Sequence, residues 1–303
     1  MAHLPKSGIA SSKITRHQTR MGFLFISPWL FGLIVFNLGP ILAVFILGFT
    51  DYPIIGAPKM VGLANYKRMF FDDPLVLKSV LNTLYYVGLR VPFHQLTAFF
   101  LAILVSRKLP GRSFFRTGIY LPVMIPAVAK SVIWRFLLGR VGLLNYVFFW
   151  MGLPTHNLLS DTFWVKPIIV LLTLWIVGIT MIIYLAGLQG IPRHLYESAE
   201  IDGAGAWHKL INVTVPMMTP VILLNVVIDI INSFQVFVHA YIITEGGPMY
   251  SSLFYVLYIF QSGFEHYKMG YASALATVLF IIILVFTVLF LKWSESWVHY
   301  EQV

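Results

Sequence analysis

Apolar residues in this chain run in long blocks rather than in alternation. The stretch "FIIILVFTVLFL", residues 280–291, carries one polar position in twelve. Six such segments can be marked: Met21–Phe49, Leu75–Val105, Phe114–Leu138, Trp164–Leu188, Val215–Ile243 and Gly270–Leu291. Blocks of this length predict membrane spans. Backbone in lipid must satisfy its own hydrogen bonds, which leaves helix bundles and closed barrels. Barrel strands alternate over ~10 residues, and these blocks do not. The pattern therefore predicts an all-α membrane protein, a six-transmembrane-helix bundle. The first segment would be ~43 Å long as an unbroken helix, more than a ~30 Å hydrocarbon core needs. Tilt, or a break at Gly39-Pro40, absorbs the excess. Pro92 and the Pro122/Pro126 pair mark kinks in the second and third spans.

Composition agrees with the pattern. The 303 residues are 58% hydrophobic and 11% charged, against roughly 25% charged in soluble domains. The absence of cysteine excludes disulfides, thiolate metal sites and cysteine nucleophiles. A net charge of +9 is accounted for by the basic residues that gather in cytoplasmic loops, so no nucleic acid is called for. About twenty polar residues precede the first block and no A-x-A-like site closes it, which predicts a retained first span rather than a cleaved signal.

The loops give an orientation. Lys6, Lys13, Arg16 and Arg20 lie in the N-terminal tail, Arg107, Lys108, Arg112 and Arg116 between spans 2 and 3, Arg193 and Lys209 between spans 4 and 5, and Lys292 after span 6. The opposite loops carry fewer, more dispersed basic residues. Both termini are thus expected in the cytoplasm. The predicted layout is a basic tail at 1–20, a transmembrane domain at 21–291, a cytoplasmic loop at 189–214 within it, and a second tail at 292–303. The opposite segments 139–164 and 250–273 are rich in Trp, Phe and Tyr. They are expected to form short helices at the membrane interface, or the rim of a docking surface.

Polar groups inside a bilayer are functional candidates by default. In span 5, Asn225, Asp229, Asn232, Gln235 and His239 fall within an arc of ~120° on an ideal helix. In span 2, Asn82, Tyr86, Arg90, Phe93 and Thr97 form a similar stripe, with His94 at its edge. Amides and carboxylates offer donors and acceptors for hydroxyl groups, and aromatic faces suit the apolar faces of sugars. Two facing stripes would make a carbohydrate-compatible pathway. The same residues would serve equally as hydrogen-bonding glue between helices, and an Arg90–Asp229 ion pair would be purely structural. Lys130 and Arg135 in span 3 either line the path or snorkel to an interface. No H-x-x-x-H spacing points to a metal site.

The loop between spans 4 and 5 concentrates acid in "ESAEIDGAG", residues 197–205. Gly190 suits a helix C′ position and Pro192 a helix start. Gly203 and Gly205 allow a sharp turn with positive φ. Two short helices joined at a Gly-rich bend would make a knob for a groove on another protein, or simply a solvated loop. Here Glu197, Ala199, Asp202, Gly203, Ala204 and Pro216 resemble the EAA signature of permease subunits of binding-protein-dependent ABC importers, with Ser198 in place of the first alanine. Segments starting at Asn82, Gly111 and Thr244 are similar to carbohydrate-import permeases, of the maltose-type larger subunit, so the resemblance spans nearly the whole chain.

The resemblance implies a bacterial-type inner membrane protein that forms a sugar translocation pathway by alternating access. It implies a second permease subunit, two ATPase subunits that carry ATP and Mg, an extracytoplasmic sugar-binding protein and surrounding membrane lipid. It further implies that Glu197, Ser198, Ala199, Glu200, Asp202, Gly203, Ala204 and Gly205 form an ATPase-coupling helix. No G-x-x-x-x-G-K-[ST] phosphate loop occurs, so ATP hydrolysis is expected on the partners, and no cofactor and no catalytic residue on this chain. Alternatives are import of a phosphorylated polyol, with Arg90 or Lys130 on the phosphate, and an ion-coupled secondary transporter using Asp229 and His239 as a proton relay. A membrane enzyme would need a catalytic constellation that the sequence does not display.

Overall fold

The computed structural model describes residues 13–107, 110–155 and 157–298. Residues 1–12 of the basic tail with Lys6, the loop residue Lys108, and residues 299–303 of the second tail lie outside the described residues, as do the side chains of Lys13 and Arg16. The described chain is almost wholly helical. In order come α1 (Lys13–Gly32), α2 (Gly39–Leu47), α3 (Ala64–Lys67), α4 (Pro74–Ser106), α5 (Arg112–Met124), α6 (Ala127–Leu138), α7 (Leu143–Trp150), α8 (Val165–Leu174) and α9 (Gly178–Gly190). They are followed by α10 (Arg193–Ile201), α11 (Ala206–Lys209), α12 (Val215–Phe234), α13 (Val238–Ile243), α14 (Tyr255–Phe260) and α15 (Met269–Ser294). A two-stranded antiparallel ribbon, Thr50–Asp51 against Lys59–Met60, is the one sheet among the described residues.

Five helical runs are long and apolar enough to cross a membrane: Gln18–Leu47, Pro74–Ser106, Ala127–Trp150, Ala206–Ile243 and Met269–Ser294. The pair α8 and α9, bent by 49° at its break, makes a sixth. Five of these six runs overlie predicted segments, but the third lies further along the chain than expected, at Ala127–Trp150 rather than Phe114–Leu138, so that it includes part of the stretch expected at the interface. Three local differences accompany this. The first span does not break at Gly39-Pro40. It widens into a π-helical stretch, Leu33–Leu38, just ahead of the proline, which makes room for a residue that lacks an N–H and crowds the preceding turn. The third segment divides into α5 and α6, because Ile125 and Pro126 are extended and Pro126 biases the residue before it away from helix. The fifth ends as a regular helix at Phe234 and resumes at Val238.

α4 is the central helix, packed against α8, α9 and α12. Asp73 caps its N-terminus by accepting from Leu75 N–H at 3.1 Å, with Pro74 at the first helical position, where a missing N–H costs nothing. Two apolar clusters flank its middle. One gathers Tyr86, Ile169, Phe234, Phe254, Leu257 and Leu275. The other gathers Ala98, Ala102, Met181, Tyr184, Leu185 and Met218. The aromatic segments behave differently from each other. α7 exposes Tyr146, Phe149 and Trp150, as an interfacial helix would. α14 instead buries Tyr255, Leu257 and Tyr258 against α4 and α15 and belongs to the core. The most apolar window of the first span buries none of its residues within this chain, although α2 packs on α15 through Phe45 and Phe280.

Candidate functional site

Beside the first apolar cluster, which contributes Tyr86 and Val236 to its wall, lies a cavity of about 340 Å³. Arg90, the middle residue of the 33-residue α4, lies ~24 Å from either helix end, so this opening sits at mid-bundle. α4 contributes Tyr86, Arg90 and His94, α12 contributes Asn225, Asp229 and Asn232, and Gln235 and His239 follow beyond the end of α12. Thr173, Thr180 and Ala127 close other parts of the wall.

Asp229 organises the wall and is 4% exposed. Its Oδ1 pairs with Arg90 Nη1. Its Oδ2 faces His94 Nδ1 at 3.0 Å and accepts from Gln95 Nε2 at 3.0 Å. Gln95 Oε1 accepts in turn from Tyr184 of α9 at 2.5 Å, and Ser233 Oγ donates to the Asp229 carbonyl. A buried carboxylate is tolerated only when such partners replace its water. The network thereby ties α4, α9 and α12 together at the depth where an unpaired charge would cost most.

Other lining groups retain hydrogen-bonding capacity. Asn225 is 3% exposed and its Nδ2 has no partner. Asn232 and Gln235 are exposed, and His239 Nδ1 meets Ser131 Oγ at 2.9 Å. His239 does not reach the wall by continuing the span 5 helix. Gln235–Phe237 breaks that helix, and the separate α13 carries His239 back to the same cavity. Two predicted pathway residues lie elsewhere. Asn82 is buried, donating to the carbonyls of Tyr250 at 2.8 Å and Leu253 at 3.0 Å and accepting from Lys166 at 3.2 Å. It is glue between α4 and the chain leading into α14. Phe93 is half exposed on the outer face of α4. Thr97 is half-buried and bonded to its own helix at Phe93 O.

Sequence reasoning missed Gln95 and Tyr184. Gln95 sits five residues after Arg90, outside the 3.6-residue stripe, and Tyr184 is a lone polar-tipped ring in an apolar helix. Arg135 is half exposed and bonds Ile242 O at 2.8 Å, whereas Lys130 is buried. No group of three or more His, Asp or Glu residues among the described ones is placed to hold a metal ion.

The acidic loop forms a second feature. α10 ends in a Schellman motif: Ala204 N–H donates to Ala199 O at 2.8 Å and Gly203 N–H to Glu200 O at 3.0 Å. Gly203 holds φ +78°, the left-handed C′ conformation that favours glycine. Gly205, by contrast, is extended and serves as the N-cap of α11, and Gly190 is the last residue of α9 with Ile191 extended after it. Lys209 donates to Glu200 at 2.6 Å and clasps the two short helices. Glu197, Ser198, Glu200, Asp202 and Gly203 are exposed, with Ala199 and Ala204 partly covered. Ile201 and Trp207 stand 87% and 71% exposed beside the bend, an apolar tip on a charged knob.

Residues 96–300, which include the acidic loop and the α12 and α13 side of the cavity but not its α4 residues Tyr86, Arg90 and His94, match the family model described as binding-protein-dependent transport system inner membrane component. The chain belongs to that family. It is a transport permease, not an enzyme. It is 37% identical over 298 residues to the probable ABC transporter permease protein YesP of Bacillus subtilis (strain 168), covering 96% of each chain. It is 34% identical to the lactose transport system permease protein LacF of Rhizobium radiobacter, covering 92% of this chain and 94% of that one. It is 32% identical to the arabinooligosaccharides transport system permease protein AraP of Bacillus subtilis, covering 90% and 88%. Among solved structures it resembles a chain of a bacterial ABC transporter involved in the import of the acidic polysaccharide alginate, with a TM-score of 0.82 at 23% identity over 94% of this chain and 99% of that one. That likeness shows the fold. Family membership together with the likeness to ABC transporter permeases sets the permease apart from gradient-driven secondary transporters.

Proposed function

We propose that the permease forms the sugar translocation pathway of an ATP-driven importer, with the cavity at mid-bundle as its substrate station. The observation that carries this reading is the lining itself. Asn225, Asn232, Gln235 and His239 converge on one opening of about 340 Å³, within the range of small-molecule sites, and their amides and ring nitrogens suit sugar hydroxyls. The transport systems named for LacF and AraP support carbohydrate as the cargo class.

The knob of α10 and α11 is the proposed contact with an ATPase subunit. Its rigid C-cap, its ion-pair clasp and its exposed Ile201 and Trp207 suit a cleft on a partner, and the chain carries no phosphate loop of its own. The remaining assembly is a second permease, two ATPase subunits holding ATP and Mg, and an extracytoplasmic sugar-binding protein. Both termini and the knob then face the cytoplasm. Alternating access would rock the helices about the cavity.

In the assembled complex, Asn232→Ala should lower sugar-dependent ATPase stimulation several-fold while leaving complex yield unchanged. Asp229→Asn should lower both, because it weakens the network that ties three helices. Equal loss of yield and stimulation in Asn232→Ala would assign that residue to packing instead.

A further inference from the structure

The charge and donor balance of the cavity goes a step beyond carbohydrate. Among the described residues Asp229 is the only carboxylate in its lining, and both of its oxygens are engaged, by Arg90, His94 and Gln95. No acidic oxygen is left over for a ligand's hydroxyl. Donors are left over. Among the described residues Arg90 makes its hydrogen bonds through Nη1, which leaves Nη2 and Nε of a group that lines the cavity. The amide Nδ2 of Asn225, on a residue 3% exposed, lacks any acceptor.

A second cation stands beside the same wall. Lys130 is 6% exposed, and the ion pairs among the described residues involve Arg90, His94, Arg135 and Lys209, not Lys130. Ala127, one helical turn before it, lines the cavity, and residues three apart share a helix face. Its chain neighbour Ser131 contacts His239, also in the lining. With Asp229 balanced against Arg90, Lys130, which is in no ion pair among the described residues, adds positive charge beside this wall, where an anion would be favoured.

We infer that the cargo is an anionic saccharide whose acidic group is received by Arg90 and Asn225, with the charge of Lys130 beside them. This rests on the sugar-permease reading and narrows it. A carboxylate on a sugar ring accepts up to four hydrogen bonds and matches the fork of a guanidinium, so it answers the surplus of donors and the added positive charge together. A phosphoryl group shares that chemistry. Asn232 and Gln235, able both to donate and to accept, are left for the hydroxyls.

The test is equilibrium binding to the purified importer complex, without its binding protein, in nanodiscs. Three probes are compared: a galacturonic acid disaccharide, a galactose disaccharide and a galactose phosphate. The unaltered complex should bind an acidic probe at least about tenfold more tightly than the neutral one. Lys130→Met should remove most of that preference, and Lys130→Arg should keep it. Asn225→Asp, which sets a carboxylate where the orphan amide stands, should erase the preference even if Lys130→Met does not assemble. Tighter binding of the phosphate than of the acid disaccharide would assign the anion as phosphoryl. A preference for the neutral disaccharide, or a preference unmoved in both variants, overturns the inference and leaves the sugar permease standing. Binding of none of the probes, with no sugar-loaded binding protein stimulating ATP hydrolysis, overturns both.

Discussion

Arg90 and Asp229 show how one contact serves two ends. Their side chains are 15% and 6% exposed, deep enough that removing one partner strands the other. Arg90→Met alone should therefore destabilise the permease by about 3–5 kcal/mol, read as a drop in the thermal unfolding midpoint in detergent. Combining it with Asp229→Leu should recover much of that loss, since a buried pair exchanged for apolar residues is often neutral. The sequence displays this pair plainly, as two charges in otherwise apolar blocks. It does not display why Asn82 leaves the stripe it shares with Arg90. Asn82 lies eight residues before Arg90, near the start of α4, and the accepting carbonyls of Tyr250 and Leu253 come from a segment 168 and 171 residues away. Only the fold brings an acceptor-rich turn there. Phe93 fails for a related reason: periodicity defines a stripe, and packing decides how much of it turns inward.

At the scale of elements, the bend between α10 and α11 was readable because its chemistry is local. Gly203 holds φ +78°, and a residue bearing a Cβ pays roughly 1–2 kcal/mol there. Gly203→Val should lower the thermal midpoint modestly, because the left-handed φ strains a β-branched residue although the surrounding space is open, while ATP-coupled uptake falls about tenfold or more. Uptake at the original rate would remove the knob from the coupling route. The break at Gln235–Phe237 was not readable, because no proline or glycine marks it. The core placement of α14 was equally hidden, since an aromatic run suits an interface and an interior alike. Close approaches are hidden too. A Cβ on Gly270 would lie 1.9 Å from Thr50 O, whereas one on Gly88 meets nothing within 4 Å. Gly270→Ala should thus destabilise by about 1–3 kcal/mol or more, with Gly88→Ala as the neutral control in the same melt.

At the scale of the whole molecule, apolar blocks and a family signature together define a permease whose energy source lies on other chains. The first span, unburied within the chain apart from its contact through α2, presents Trp29, Phe31 and Phe36 outward and needs lipid or a partner subunit to cover it. The claim that everything else depends on is that this chain moves sugar only when an ATPase drives it. The direct measurement is uptake of radiolabelled sugar into proteoliposomes holding either the complete importer with its binding protein or this chain alone. The account predicts uptake with the complete importer that requires ATP and binding protein and persists when the proton gradient is collapsed. It predicts none with the chain alone. Gradient-driven uptake by the isolated chain, without any ATPase, would contradict it.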